Sequence, residues 1–98
     1  MLHDKKRYVE KIHKNLDVIR REYGVATIGV FGSVARGDDS EESDIDVVVE
    51  FKEPISFFRF LELEKFLSTI LKRKVDLVTK RALKPVIKEQ VLKDTVYV

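Results

Sequence analysis

A chain of 98 residues, 44% apolar and 37% charged, is long enough for one folded domain spanning residues 1–98 and too short for two. It has no cysteine, which excludes disulfides, thiolate zinc sites and a cysteine nucleophile. Its net charge of +2 is too small to indicate nucleic-acid binding.

The opening residues show no apolar stretch behind the basic ones, so no secretory signal is expected. Val9, Ile12, Leu16, Ile19 and Tyr23 recur at spacings of three and four, which predicts an amphipathic helix from about Asp4 to Tyr23, stopped by Gly24. Val25 to Phe31 is a short apolar, partly β-branched run and reads as a buried strand. Gly32 ends it, and Ser33 to Arg36 leaves room for a turn or two of helix before Gly37. Asp38 to Ser43 is a polar, acidic loop.

Ile45 to Phe51 is the strongest strand signal, closed off by Pro54. Ser56 stands where an N-cap belongs, ahead of a helical stripe running from Phe57 to Leu71. That window carries Arg59, Glu62, Glu64 and Lys65, and is too short and too charged to span a bilayer. Lys74 to Val78 reads as a third strand, Leu83 to Leu92 as a short helix with Pro85 in its first turn, and Thr95 to Val98 as an edge strand. The expected fold class is α/β (α+β): a mixed sheet of three or four strands flanked by helices. The composition, with no cysteine or membrane span, fits a cytoplasmic protein, and the abundance of Lys, Arg and Glu leans towards a heat-adapted source.

Asp44 and Asp46 carry the first chemical signal. Residues two apart in a strand share a face at a separation of roughly 7 Å. Two carboxylates that close repel by about 2 kcal/mol at an effective dielectric near 20. A divalent cation reverses that sign, because Mg²⁺ takes hard oxygen donors from one or two carboxylates and from phosphate. Otherwise Asp44 belongs to the loop and Asp46 to a solvated strand face. Asp76 lies inside a second apolar run, Val75-Asp76-Leu77-Val78, where strand propensity disfavours Asp. If that strand neighbours the first, three carboxylates converge as expected for one or two metal ions handling phosphate; on its own Asp76 is a strand-edge residue. Gly32-Ser33 offers a close backbone approach, the start of a short helix and a hydroxyl donor, or a plain strand-to-helix turn with Ser33 as N-cap. There is no Walker A loop and no Gly-x-Gly-x-x-Gly.

Gly32-Ser33-Val34-Ala35-Arg36-Gly37 followed by Ser43-Asp44-Ile45-Asp46-Val47-Val48-Val49 resembles the signature of the DNA polymerase β-like nucleotidyltransferase superfamily, and most closely its minimal nucleotidyltransferase (MNT) branch. The likeness covers nearly the whole chain and shows no departure from the catalytic pattern. It implies that Gly32 and Ser33 hold a nucleoside triphosphate such as ATP, that Asp44 and Asp46 bind Mg²⁺, and that Asp76 completes a second metal site and helps deprotonate the acceptor. It also implies transfer of NMP, most simply AMP, with loss of pyrophosphate, and a small helical HEPN protein as the toxin partner of this antitoxin.

Arg36 is a candidate contact for phosphates or for the site carboxylates, or a surface Arg paired with Asp38 or Asp39. His3 and His13 read as surface residues. The runs Lys72-Arg73-Lys74 and Lys80-Arg81 read as solvated faces or as a docking patch for an acidic partner or phosphates. No residues remain to build an acceptor domain, so the acceptor surface is expected from a second copy, a partner protein or the acceptor itself. A non-catalytic antitoxin that acts by binding alone, and NMP transfer to a small molecule, stand as the alternatives.

Overall fold

The amphipathic pattern at the start of the chain folds as two helices, α1 (Asp4–Lys14) and α2 (Leu16–Tyr23), where one had been expected. The computed structural model describes residues 4–40 and 42–98, so His3, and Glu41 of the acidic loop, lie outside the described residues. The break is at Asn15, whose φ of −105° and ψ of 8° leave the helical region. Its backbone N–H donates to the Ile12 carbonyl, and its side-chain amide donates to the Lys11 carbonyl at 2.8 Å. An Asn side chain that satisfies the backbone locally competes with the helix ladder. The apolar spacing survives the break, because Ile12 and Ile19 are both fully buried.

Strand β1 (Val25–Phe31) leads into the short α3 (Gly32–Arg36), and β2 (Ile45–Phe51) follows the acidic loop. Helix α4 (Phe57–Leu71) starts as expected: the Ser56 hydroxyl accepts from the Arg59 N–H at 3.2 Å. Strand β3 covers Val75–Thr79, one residue later than its apolar run suggests. A turn of 3₁₀-helix (Lys80–Ala82), capped by the Thr79 hydroxyl, displaces the start of α5 (Pro85–Asp94) from Leu83 to Pro85. Strand β4 is Val96–Tyr97.

The four strands form one mixed sheet in the order β3-β2-β1-β4. The helix α4 crossover makes β2 and β3 parallel, while β1 is antiparallel to both β2 and β4. Alternation then assigns two faces. Ile45, Val47, Val49, Val75 and Leu77 enter the core with Leu63, Leu67 and Leu71 of α4 and with Tyr8, Ile12 and Ile19. Asp46, Val48, Asp76 and Val78 lie on the other face, where α5 packs against β1 and α3. Among the described residues, no helix is long and apolar enough to cross a membrane.

The outer edge of β3 is covered by its own crossover helix. The Leu77 N–H donates to the Glu64 carboxylate at 2.9 Å, and the Val75 N–H to the Ser68 hydroxyl at 3.0 Å. Those bonds flank Asp76 and fix the strand that carries it. They also remove two donors from an edge that could otherwise pair with another chain. Replacing Glu64 with Ala strands the Leu77 N–H, and a loss of about 1–3 kcal/mol is expected in urea unfolding. Glu64→Gln, which keeps an acceptor, should recover most of it.

Candidate active site

The C-terminal end of β1 meets the N-terminal ends of β2 and β3. Phe31 lies opposite Asp46 in the antiparallel pair, and Asp46 lies beside Asp76 in the parallel pair. Paired residues on neighbouring strands share a face at a strand spacing of about 4.8 Å. Asp44, two residues before Asp46, precedes the first residue of β2. The carboxylates singled out in the sequence therefore lie at the same end of the sheet, with Asp46 and Asp76 on one face. That proximity rests on the register of a parallel pair, which no local pattern encodes.

Gly32 sits at the same corner with φ of +72°, a conformation that side-chain-bearing residues adopt only under strain. A Cβ built on it would lie 2.2 Å from Oδ2 of Asp46. The glycine thus serves the backbone turn and also leaves the space that the Asp46 carboxylate occupies. Ser33 is not an N-cap, since Phe31 holds that position without a side-chain bond. Ser33 falls inside α3, where its carbonyl accepts from the Asp38 N–H at 3.0 Å.

Burial raises the Asp46 pKa above its ordinary value of 3.8; the charges of Asp76 and Asp44 raise it further, and Arg36 lowers it. Such mutual repulsion at the edge of a folded core is the condition that a bound cation relieves. Among the described residues, no group of three His, Cys, Asp or Glu closes into a metal cage by itself. This geometry differs from a convergent three-carboxylate cage. Mg²⁺ commonly keeps waters and takes phosphate oxygens alongside one or two carboxylates, so the donor set here fits a cation shared with a phosphate ligand.

The cations around the site have unequal parts. Arg36 pairs with Asp38 at 3.2 Å, with both side chains half exposed or more. Lys74 reaches Asp44 only at 3.9 Å and is well exposed, a weak surface pair. Arg73, from the same Lys-Arg-Lys run, is neither solvated nor a docking group. Its side chain is 14% exposed and binds the acidic loop. The run of basic residues gave no sign of this, since the partners are Tyr8, Asp39, Ser40 and Ser43, at least thirty residues away in sequence.

A cleft of about 750 Å³ lies at the other ends of β2 and β3, among Phe51, Pro54, Ile55, Phe60, Val78 and Ala82. None of Asp44, Asp46 and Asp76 lines it. Glu50 lies four residues along the strand from Asp46, or about 13 Å.

With this geometry in place, comparison with known proteins is direct. The sequence profile of the nucleotidyltransferase domain matches residues 12–98. The protein adenylyltransferase MntA of Thermococcus cleftensis is 48% identical over 80 residues, covering 82% of this chain and 81% of that one. A solved structure assigned to the minimal nucleotidyltransferases superposes with a TM-score of 0.80 at 34% identity, over 93% of this chain and 92% of that one. A Shewanella oneidensis complex, a tri-AMPylated HEPN toxin with its MNT antitoxin, matches at TM-score 0.68 and 26% identity, over 95% of this chain and 70% of the other. The chain accordingly belongs to the nucleotidyltransferase domain family, in its minimal, MntA-like branch, and is a nucleotidyltransferase.

Proposed function

We propose that this chain, acting as one domain over residues 1–98, transfers AMP from ATP to a hydroxyl of a small helical HEPN protein in the cytoplasm, and that this modification is its antitoxin activity. The observation that carries the reading is the corner where Gly32 makes room for Asp46 and Asp46 lies beside Asp76. The similarity to a protein adenylyltransferase MntA and to an AMPylated toxin complex supports AMP as the group transferred and a HEPN protein as the acceptor.

Gly32 and Ser33 would receive the triphosphate, the glycine by close backbone approach and the serine by its hydroxyl. Arg36, whose charge already reaches Asp46, would add a cation to the phosphates. Asp44 and Asp46 would hold Mg²⁺, and Asp76 with Asp46 a second ion. Bound there, Mg²⁺ neutralises charge on the phosphates and on the attacking and leaving oxygens. The acceptor oxygen forms a bond to the α-phosphorus as the bond to the bridging oxygen breaks and pyrophosphate leaves; the hydroxyl proton passes to Asp76. Most of the acceleration comes from positioning and charge neutralisation. A site that supplies groups only for the donor leaves the acceptor surface to the partner, or to a second copy of the chain.

Incubation with α-labelled ATP, Mg²⁺ and a candidate HEPN protein from the same organism tests the reading. Label should move onto the partner, and its toxicity should fall with the extent of labelling. Inhibition that persists in the Asp44→Asn/Asp46→Asn double variant, without any label, would establish an antitoxin that acts by binding alone. Label on a small molecule in the absence of partner would redirect the acceptor assignment.

A further inference from the structure

The loop between Gly37 and β2 carries Asp38, Asp39, Glu41 and Glu42 within five residues, and it leads directly into Asp44. Like charges at that density, next to a site that is itself acidic, drive a free loop outward. Arg36 pairs with Asp38 at its start, and Arg73 holds the rest. From the junction between α4 and β3, Arg73 donates through Nε to the Ser43 carbonyl at 2.8 Å. One terminal nitrogen donates to the Asp39 carboxylate at 3.0 Å and to the Tyr8 hydroxyl at 3.2 Å, and the other to the Ser40 carbonyl. Tyr8 is buried in the core, and its ring centroid lies 5.9 Å from the guanidinium carbon. The guanidinium is thereby anchored at its back by α1 while its front grips the loop.

The grip is connected to the chemistry at both ends. Ser43 immediately precedes Asp44, and Arg73 lies three residues before Asp76. A second link, from the Ile45 N–H to the Lys74 carbonyl at 2.9 Å, joins the residue after Asp44 to the residue after Arg73. We propose that Arg73 is a positioning residue of the nucleotidyl-transfer site: it clamps Asp39, Ser40 and Ser43 and so sets where Asp44 stands relative to Asp76. This rests on the nucleotidyl-transfer reading above. Arg is required because a planar fork supplies donors in several fixed directions, whereas a Lys ammonium acts as a single point charge.

Three measurements on the full chain test it: the calorimetric Kd for ATP at a series of Mg²⁺ concentrations, the rate of AMP transfer to the HEPN partner, and amide hydrogen exchange in the loop. All are made well below the melting temperature of each variant. In Arg73→Met, exchange at residues 39, 40, 42 and 43 should rise about tenfold or more, as protection is lost on local opening. The Mg²⁺ concentration for half-maximal ATP binding should rise severalfold, and transfer should fall by about 10–100-fold, the size expected for a misplaced site group. Arg73→Lys should fall between the two. A core variant of equal melting temperature, Ile19→Val or Ile19→Ala, controls for general destabilisation and should keep the wild-type Mg²⁺ dependence. Arg73→Met with wild-type Mg²⁺ dependence and transfer rate, or with losses equal to those of the core control, overturns the assignment. If the wild type transfers no nucleotide and binds no ATP, the functional reading fails. Loop exchange then decides on the clamp alone, and unchanged protection in Arg73→Met rejects it.

Discussion

Asp46→Asn is expected to abolish nucleotide transfer while making the protein more stable in the absence of metal. The transfer loss should be about 10³-fold or greater, because a carboxylate that holds a phosphate-bound cation contributes several kcal/mol of charge stabilisation. The stability gain follows from what surrounds the same carboxylate. Burial, Asp76 and Asp44 all oppose its ionised form, in that order, and Arg36 offsets them only in part. Unit charges about 6–8 Å apart repel by about 2–3 kcal/mol at an effective dielectric near 20, and exposure of Asp76 screens part of that. A net gain of about 1 kcal/mol corresponds to about 4–8 °C in Tm for a domain of this size.

The pH dependence has a definite sign. Folding raises the Asp46 pKa above 3.8, so the native state binds that proton more tightly than the unfolded chain does. Stability contributed by this group therefore declines as pH rises from the unfolded value through the raised native one. Asn carries no proton, and its variant lacks this slope. The Tm difference between Asp46→Asn and wild type should be widest at neutral pH and should close as pH falls towards 4. Scanning calorimetry in EDTA over that range measures it. Added Mg²⁺ with ATP should reverse the order by stabilising only the wild type. A variant less stable than wild type at pH 7 in EDTA would show that Asp46 contributes packing or hydrogen bonds that outweigh the repulsion.

The same contrast explains what could be read from the sequence. Gly32, Asp44 and Asp46 are legible because their signal is local: a glycine after a strand, and an alternating pair of acids at the start of an apolar run. The strands themselves announced their β-branched composition, and Ser56 its cap. Asp76 is visible as an anomaly in its strand, but its partner is not, since the register with Asp46 depends on the length of α4 and on Glu64 and Ser68 holding the edge of β3. Asn15 breaks a helix without disturbing the apolar spacing, so periodicity runs straight through it. Arg73 is illegible for a stronger reason. Nothing distinguishes it from Lys72 and Lys74 in a basic run, and its role arises only when α1, the loop and the α4–β3 junction are brought together. Local chemistry declares itself in sequence; chemistry assembled from distant segments does not.

Gly32→Ala should be the substitution most damaging to transfer among the three glycines of positive φ, and for a reason that the other two allow to be isolated. Gly24, Gly32 and Gly37 all have positive φ, at 68°, 72° and 80°. An alanine at any of them incurs about 1–2 kcal/mol of backbone strain. At Gly24 and Gly37 the new methyl meets no atom within 4 Å, so strain is the whole cost. At Gly32 it would lie 2.2 Å from Oδ2 and 3.1 Å from Cγ of Asp46, a contact that no ordinary rotamer adjustment of the methyl can relieve. Either the Asp46 carboxylate rotates away or the β1–α3 turn shifts, and both displace the carboxylate proposed to hold the cation. All three alanine variants should therefore unfold at lower urea concentrations, Gly32→Ala by at least as much as the other two, while transfer activity separates them. Gly24→Ala and Gly37→Ala should keep it within a fewfold of wild type at temperatures where they are folded. Gly32→Ala should lose about 10²-fold or more, the size associated with a displacement of about 1 Å in a reacting group. Activity loss in Gly32→Ala no greater than in the two controls would mean that the turn, and not the space reserved for Asp46, is what that glycine provides.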